Sequence, residues 1–256
     1  MNSFARTWGQ GQGQEALLLH CSLAHSGAWD GMARRLSDRL HMTAPDLVGH
    51  GKGPDRDPDQ DYHDQCANLV RGYLPDVPCH LIGHSFGATL ALRLAIEHPD
   101  QVASLTLIEP VLFAAAPDSP GSKTQLALDA ALAAHLAAGE PEVAARAFLP
   151  VWGGRVAFDD LPPAQARYMT QRIWVIVASH DALHGDRAHL VPRLDRVTCP
   201  VLLLEGAQSP PVISDIQTAL GKAWPGHRRA VVEGAGHMVP ITHPHAVADE
   251  IGRFLS

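Results

Sequence analysis

The chain has 256 residues, 46% hydrophobic and 18% charged, with a net charge of −7, which is enough apolar material for a sizeable core and a balance that disfavours nucleic acid or an anionic membrane surface as a partner. No run of 18 apolar residues is present, Met1–Trp8 holds no apolar stretch of the signal-peptide kind, and Cys21, Cys66, Cys79 and Cys199 are scattered without C-x-x-C spacing. A reducing, cytoplasmic setting is therefore expected.

In chain order, Ala16–His20 follows a Gly/Gln-rich turn at Gly9–Gly13 and reads as a buried strand. Trp29–Leu40 carries Trp29, Met32, Ala33, Leu36 and Leu40 at helical spacing. Met42–Asp46 is a second short strand, running into the Gly-rich turn Leu47–Gly53. Tyr62–Leu74 reads as a helix stopped by Pro75, His80–Ile82 as a strand, Ala88–Ile96 as a helix and Val102–Glu109 as a strand stopped by Pro110. Strands alternating with helices across short links predict a parallel sheet wrapped by helices.

From Val111 to Val197 that alternation stops. Asp129–Ala138, Pro141–Phe148 and Ala164–Ser179 read as helices, and the segment 111–197 is expected to be a helical insertion. The alternation resumes with Pro200–Gly206 as a strand, Pro211–Ala223 as a helix, Arg228–Glu233 as a strand and His243–Leu255 as a closing helix. Residues 1–110 and 198–256 would then form the core.

Gly83-His84-Ser85-Phe86-Gly87 fits G-x-S-x-G between a strand and a helix. Such a turn holds its central residue in strained geometry and presents one hydroxyl at the positive end of a helix, while Gly on either side removes Cβ atoms where strand and helix nearly touch. Ser85 is the candidate nucleophile. Sixteen histidines raise the question of a metal. No H-E-x-x-H occurs, the close pairs are assigned to turns and loops, and His243 and His245 flank Pro244. Neither a metal nor a cofactor is expected.

Five stretches together resemble the α/β-hydrolase fold superfamily over nearly the whole chain: Leu18-Leu19-His20 with its loop, Asp46–Gly51, Gly83–Gly87, Pro200–Gly206 and Gly234–Met238. The resemblance implies a mostly parallel twisted α/β sheet flanked by helices, an inserted helical cap, and a Ser–acid–His triad at the C-terminal edge of the sheet. His237, in a Gly-flanked loop after the last strand, is the candidate base. The acid departs from the pattern, because relatives carry Asp a few residues past the strand ending at Gly206 and this chain has Ser209. Glu109, at the end of the strand after the elbow helix, is the first alternative. Glu205 and Asp215 follow, and the absence of any acid stays open. Oxyanion donors carry over to the backbone N–H groups of Phe86 and Ser22, with Leu23 next, although Cys21 replaces the Gly that relatives place after His20.

Leu23, His25, Trp152, Trp174 and Met238 are candidate substrate-binding residues, together with Val111, Leu112 and Phe113. The function implied is a serine hydrolase of a small carboxylic ester. The same triad would also serve C–C, thioester or amide hydrolysis or acyl transfer, and a degraded triad would leave a non-catalytic ligand-binding protein. The expected partner is a small-molecule substrate, with a second copy of the chain left open.

Overall fold

The computed structural model describes residues 4–9, 13–154 and 156–256. The N-terminal residues 1–3 and the middle of the Gly9–Gly13 turn lie outside the described residues.

The sheet is built from β1 (Ala5–Trp8), β2 (Gln14–Leu19), β3 (Leu40–Pro45), β4 (Cys79–His84), β5 (Val102–Ile108), β6 (Val201–Gly206) and β7 (Arg228–Val232). Their order is β1-β3-β2-β4-β5-β6-β7, and only β1 runs antiparallel to its neighbour. The central strands are continuous apolar runs because both faces are covered, as a parallel sheet requires. On one face Leu17, Leu81 and Leu107 meet α2 (Tyr62–Arg71), α3 (Phe86–Glu97) and, past the insertion, α9 (Pro211–Gly221). On the other, Leu18, Ile82 and Leu204 meet α1 (Asp30–Leu36), α10 (Val239–Thr242) and α11 (Pro244–Phe254). The fold class expected from the sequence holds.

Near the N-terminus two elements differ from the sequence reading. The edge strand β1 was absent from it, since Ala-Arg-Thr-Trp carries no apolar run. The first helix is shorter than Trp29–Leu40 because a 3-10 turn, Ser26–Trp29, precedes it and Leu40 already belongs to β3.

Between β5 and β6 the regular structure is helical throughout the described residues: α4 (Pro120–Ala137), α5 (Pro141–Trp152), α6 (Pro163–Arg172), α7 (Trp174–Ala178) and α8 (His180–His184), with 3-10 turns. α4 starts nine residues before the expected Asp129, with Ser119 as its cap accepting from the Ser122 N–H at 3.1 Å. The expected helix Ala164–Ser179 is broken at Ile173 and ends at Ser179 as expected, where the Ser179 hydroxyl donates to the Val175 carbonyl at 2.5 Å, a side-chain bond that competes with the helix ladder. These helices share a small core of their own around Leu132, Ala144, Ala145 and Ile173.

Candidate active site

β4 ends at His84, and Ser85 turns the chain sharply into α3 with φ 56° and ψ −118°. A non-glycine residue at positive φ is strained by about 1–3 kcal/mol. Two features hold it there. The Ser85 N–H donates to the Ile108 carbonyl at 2.9 Å and its carbonyl accepts from the Ala88 N–H at 3.0 Å. The flanking glycines also leave no room for anything larger: a Cβ on Gly83 would strike the Gly87 carbonyl oxygen, and one on Gly87 would strike the Leu19 carbonyl oxygen.

His237 lies over this turn. Its Nε2 is 3.0 Å from Ser85 Oγ and its Nδ1 is 2.9 Å from Glu109 Oε2. An ionised carboxylate only accepts, so the proton is assigned to Nδ1, and Nε2 is left to accept from the serine hydroxyl. The His237 backbone is fixed as well, because its carbonyl accepts from His84 Nε2 at 2.8 Å. That second imidazole is fully buried, and burial followed by the neighbouring His237 holds its pKa well below 6.5, so it is a neutral donor. Although His84 stands inside the elbow motif, its side-chain bond goes to the opposing loop.

Glu109 follows β5, is fully buried, and has φ 53°. Its N–H donates to the Leu204 carbonyl at 2.9 Å, which turns the side chain across the end of β6. Oε1 accepts from the Gly206 N–H and from the Ser209 hydroxyl, both at 2.6 Å. Ser209, at the position where the sequence pattern led to the expectation of an acid, thus touches the carboxylate that faces His237. The other candidate acids lie elsewhere. Glu205 is paired with Arg229 at 2.5 Å on the flank of the sheet, and Asp215 is half-exposed on α9.

Ser22 joins Ser85 and His237 in the wall of a cleft. The Phe86 N–H opens α3, where first-turn amides have no carbonyl partner within the helix. Leu23 is committed elsewhere: at φ 63°, its N–H donates to His50 Nε2 at 3.0 Å. Beside it, His20 Nε2 accepts from the Leu47 N–H at 3.0 Å, and its Nδ1–H donates to the Cys21 carbonyl at 2.8 Å. Burial lowers His20 to about 4 and His50 to about 3, which keeps both imidazoles neutral and able to accept. Two buried histidines therefore shape the loop that carries Ser22. The Cys21 thiol is pushed up to about 12 by burial, which makes it unreactive.

The cleft encloses about 540 Å³, mouth included, and runs from Ser85 into the helical insertion. Trp152 and Met238 line it, as do Val111 and Phe113. The other proposed contacts are placed elsewhere. Leu23 packs between the sheet core and the helical core. His25 caps the 3-10 turn by accepting from the Gly27 N–H at 3.0 Å. Trp174 packs against Gly49 and stands edge-on to Tyr62. Leu112 is buried in the core cluster of the sheet. Side chains of α4, α5 and α8 that the sequence did not single out complete the wall, among them Gln125, Asp129, Phe148 and His184. Trp152 stands edge-on to His237 with ring centroids 4.6 Å apart, and its Nε1–H donates to Gln125 Oε1 at 3.0 Å.

A mostly parallel sheet carrying a strained serine after its central strand, with the helices between β5 and β6 lining the cleft over it, defines an α/β hydrolase. The model of the alpha/beta hydrolase family matches residues 16–250, and the chain belongs to that family of enzymes. It is 30% identical over 264 residues to a 2-(acetamidomethylene)succinate hydrolase of Mesorhizobium japonicum, covering 96% of this chain and 89% of that one. It is 28% identical over 252 residues to a pimeloyl-[acyl-carrier protein] methyl ester esterase of Aeromonas hydrophila, covering 96% of each. The enol-lactonase of Burkholderia xenovorans shares the fold with a TM-score of 0.76 at 19% identity, over 99% of this chain and 96% of that one. Among the described residues, no helix is long and apolar enough to cross a membrane.

Proposed function

We propose that the chain hydrolyses a small carboxylic ester through an acyl-enzyme, with Ser85 as nucleophile, His237 as general base and Glu109 as the acid of the triad. The observation that carries this reading is the position of His237, 3.0 Å from Ser85 Oγ on one side and 2.9 Å from the buried Glu109 carboxylate on the other. Ser85 Oγ attacks the ester carbonyl as its proton passes to His237 Nε2. Glu109 keeps the imidazole in the right tautomer and stabilises the imidazolium that forms. The N–H groups of Phe86 and Ser22 take the charge on the tetrahedral oxygen. His237 then returns the proton to the departing alcohol, and water repeats the sequence on the acyl-enzyme.

Thioester or amide cleavage, C–C hydrolysis and acyl transfer would use the same groups, so a substrate panel ranks them. A non-catalytic role was motivated by Ser209 standing where an acid was expected; the buried Glu109 carboxylate 2.9 Å from His237 Nδ1 speaks for the catalytic reading. The test is labelling with a fluorophosphonate. The native protein should label fast, Ser85→Ala and His237→Ala should not label, and Glu109→Gln should label far more slowly than Glu205→Gln. A folded native protein that does not react would sink the hydrolytic reading. Equal rates for Glu109→Gln and the native protein would remove Glu109 from the triad.

A further inference from the structure

The helical insertion holds a second cluster of polar side chains, across the cleft from Ser85. Asp129 on α4 faces His180 and His184 on α8. The two histidines stand four residues apart, so they share a helix face, and their rings stack with centroids 4.7 Å apart at 29°. One Asp129 oxygen, Oδ2, lies 2.8 Å from His184 Nε2 and 3.8 Å from His180 Nδ1. The other, Oδ1, accepts from Gln125 Nε2 at 2.7 Å. The geometry points to a binding site for a divalent cation of the zinc class, held by Asp129, His180 and His184, with its fourth position open to the cleft.

The donor set is that of a three-ligand zinc site, two imidazoles and one carboxylate. One ligand atom from each residue lies within 4.8 Å of the other two. A tetrahedral ion at about 2.0–2.1 Å from each ligand needs them roughly 3.4 Å apart. His184 and Asp129 would therefore open by about half an ångström, His180 would close on Asp129 by a similar amount, and the two imidazole nitrogens, within 4.8 Å of each other, would draw together. A simple ion pair explains only one imidazole: 3.8 Å is too long for a hydrogen bond from His180. Two stacked imidazoles repel if both carry protons, whereas one cation takes a lone pair from each.

Two further features of built metal sites are present. Gln125 orients the carboxylate from behind and is itself held by Trp152, the kind of outer support that fixes a ligand's direction. An entry path also exists, because Asp129 and His180 line both the inner cleft and a groove on the outer surface of α4 beside Leu126 and Ala133. The site does not depend on the Ser85 chemistry.

The experiment is a calorimetric titration of the chelator-stripped full chain with zinc chloride, repeated with cobalt(II) to read the visible bands of a four-coordinate site. One ion per chain is expected, with a rise in melting temperature on loading. Affinity should fall by about tenfold or more in His180→Ala and His184→Ala, and stay unchanged in Ser85→Ala and in His135→Ala, a control at an exposed His–Glu pair. Circular dichroism checks that each variant folds. If His184→Ala does not fold, the part-exposed His180 decides the outcome. Absence of saturable binding at millimolar zinc overturns the proposal, and so does equal binding by His180→Ala and the native chain. Because Ser85→Ala should bind the ion normally, failure here and failure of the esterase reading are distinguishable.

Discussion

The two walls of the cleft are made by different means. The sheet-side wall is fixed by the main chain: Ser85 and Glu109 each sit at positive φ, each is tied by its N–H to the neighbouring strand's carbonyl, and the elbow closes only because Gly83 and Gly87 lack Cβ atoms. The other wall is made of side chains from four helices, α4, α5, α7 and α8, whose own core is a handful of residues. Main-chain geometry of this kind tolerates almost no substitution, whereas a wall of side chains on a thin core can change shape while leaving the sheet intact. The first wall suits chemistry that must stay constant, and the second suits selection of the group to be accepted.

The largest expected effect breaks the first wall. Gly87→Val drives a side chain into the Leu19 carbonyl, at the junction of β2 and α3. We expect a loss of several kcal/mol, of the order seen for severe backbone clashes, read as a collapse of the denaturant midpoint. A midpoint within experimental error of the native value would show that the elbow is looser than its geometry implies.

Next is Glu109→Gln, which keeps the shape but offers the imidazole a neutral amide. A fall of about 10³–10⁴ in kcat is expected for a preferred ester, with the melting temperature nearly unchanged. Ser209 sharpens the point. Ser209→Ala removes one of the two donors to Oε1 and should cost roughly tenfold. Adding Ser209→Asp to Glu109→Gln puts a carboxylate on the loop after β6, beside the position Glu109 vacates. Partial recovery is expected, and no recovery would mean that the loop after β6 no longer reaches His237.

The contrast between the walls also explains what could be read from the sequence. β2, β4, β5 and β6 are short apolar runs between turns, and the elbow is a local pattern of five residues. Both are set by neighbours in the chain, so both were visible. Glu109 as a candidate acid was visible too, but not the part of Ser209, whose bond to it spans 100 positions. The insertion was legible only as helical. The apolar run Ile173–Ala178 gives no sign of the break at Ile173, and the short α8 that sets His180 and His184 four residues apart follows an expected helix end and was not read. Trp152 was named as a pocket residue and lines the cleft, while Trp174, equally apolar and named with it, turns towards Gly49. Nothing in the local pattern separates the two tryptophans, because the choice depends on how the helices cross.

The buried histidines behind the first wall give an effect that pH reveals. His20 is lowered to about 4, and His50 and His63 to about 3, chiefly by burial. Each is neutral when folded and protonates near 6.5 when unfolded, so below about 6.5 the unfolded chain binds more protons. Stability is therefore full above about pH 6.5 and declines as the pH falls towards 4. A drop of roughly 10 °C in melting temperature between about pH 7 and pH 5 is expected. A flat profile over that range would mean that water reaches these rings.

The smallest expected effect acts on the second wall alone. Phe148 lines the cleft and stacks on Trp152 with centroids 6.5 Å apart, one ring removed from His237. Phe148→Ala removes a ring from the pocket without touching the triad or the oxyanion donors. The fluorophosphonate labelling rate should hold within about twofold. The ratio of kcat/KM for a longer over a shorter acyl ester should rise by about tenfold, since one methylene of fit in an apolar pocket is worth about 1–3 kcal/mol. The two readouts divide along the walls: a change in labelling with no change in the ratio would mean that Phe148 acts through Trp152 on His237, and that the acyl chain lies elsewhere.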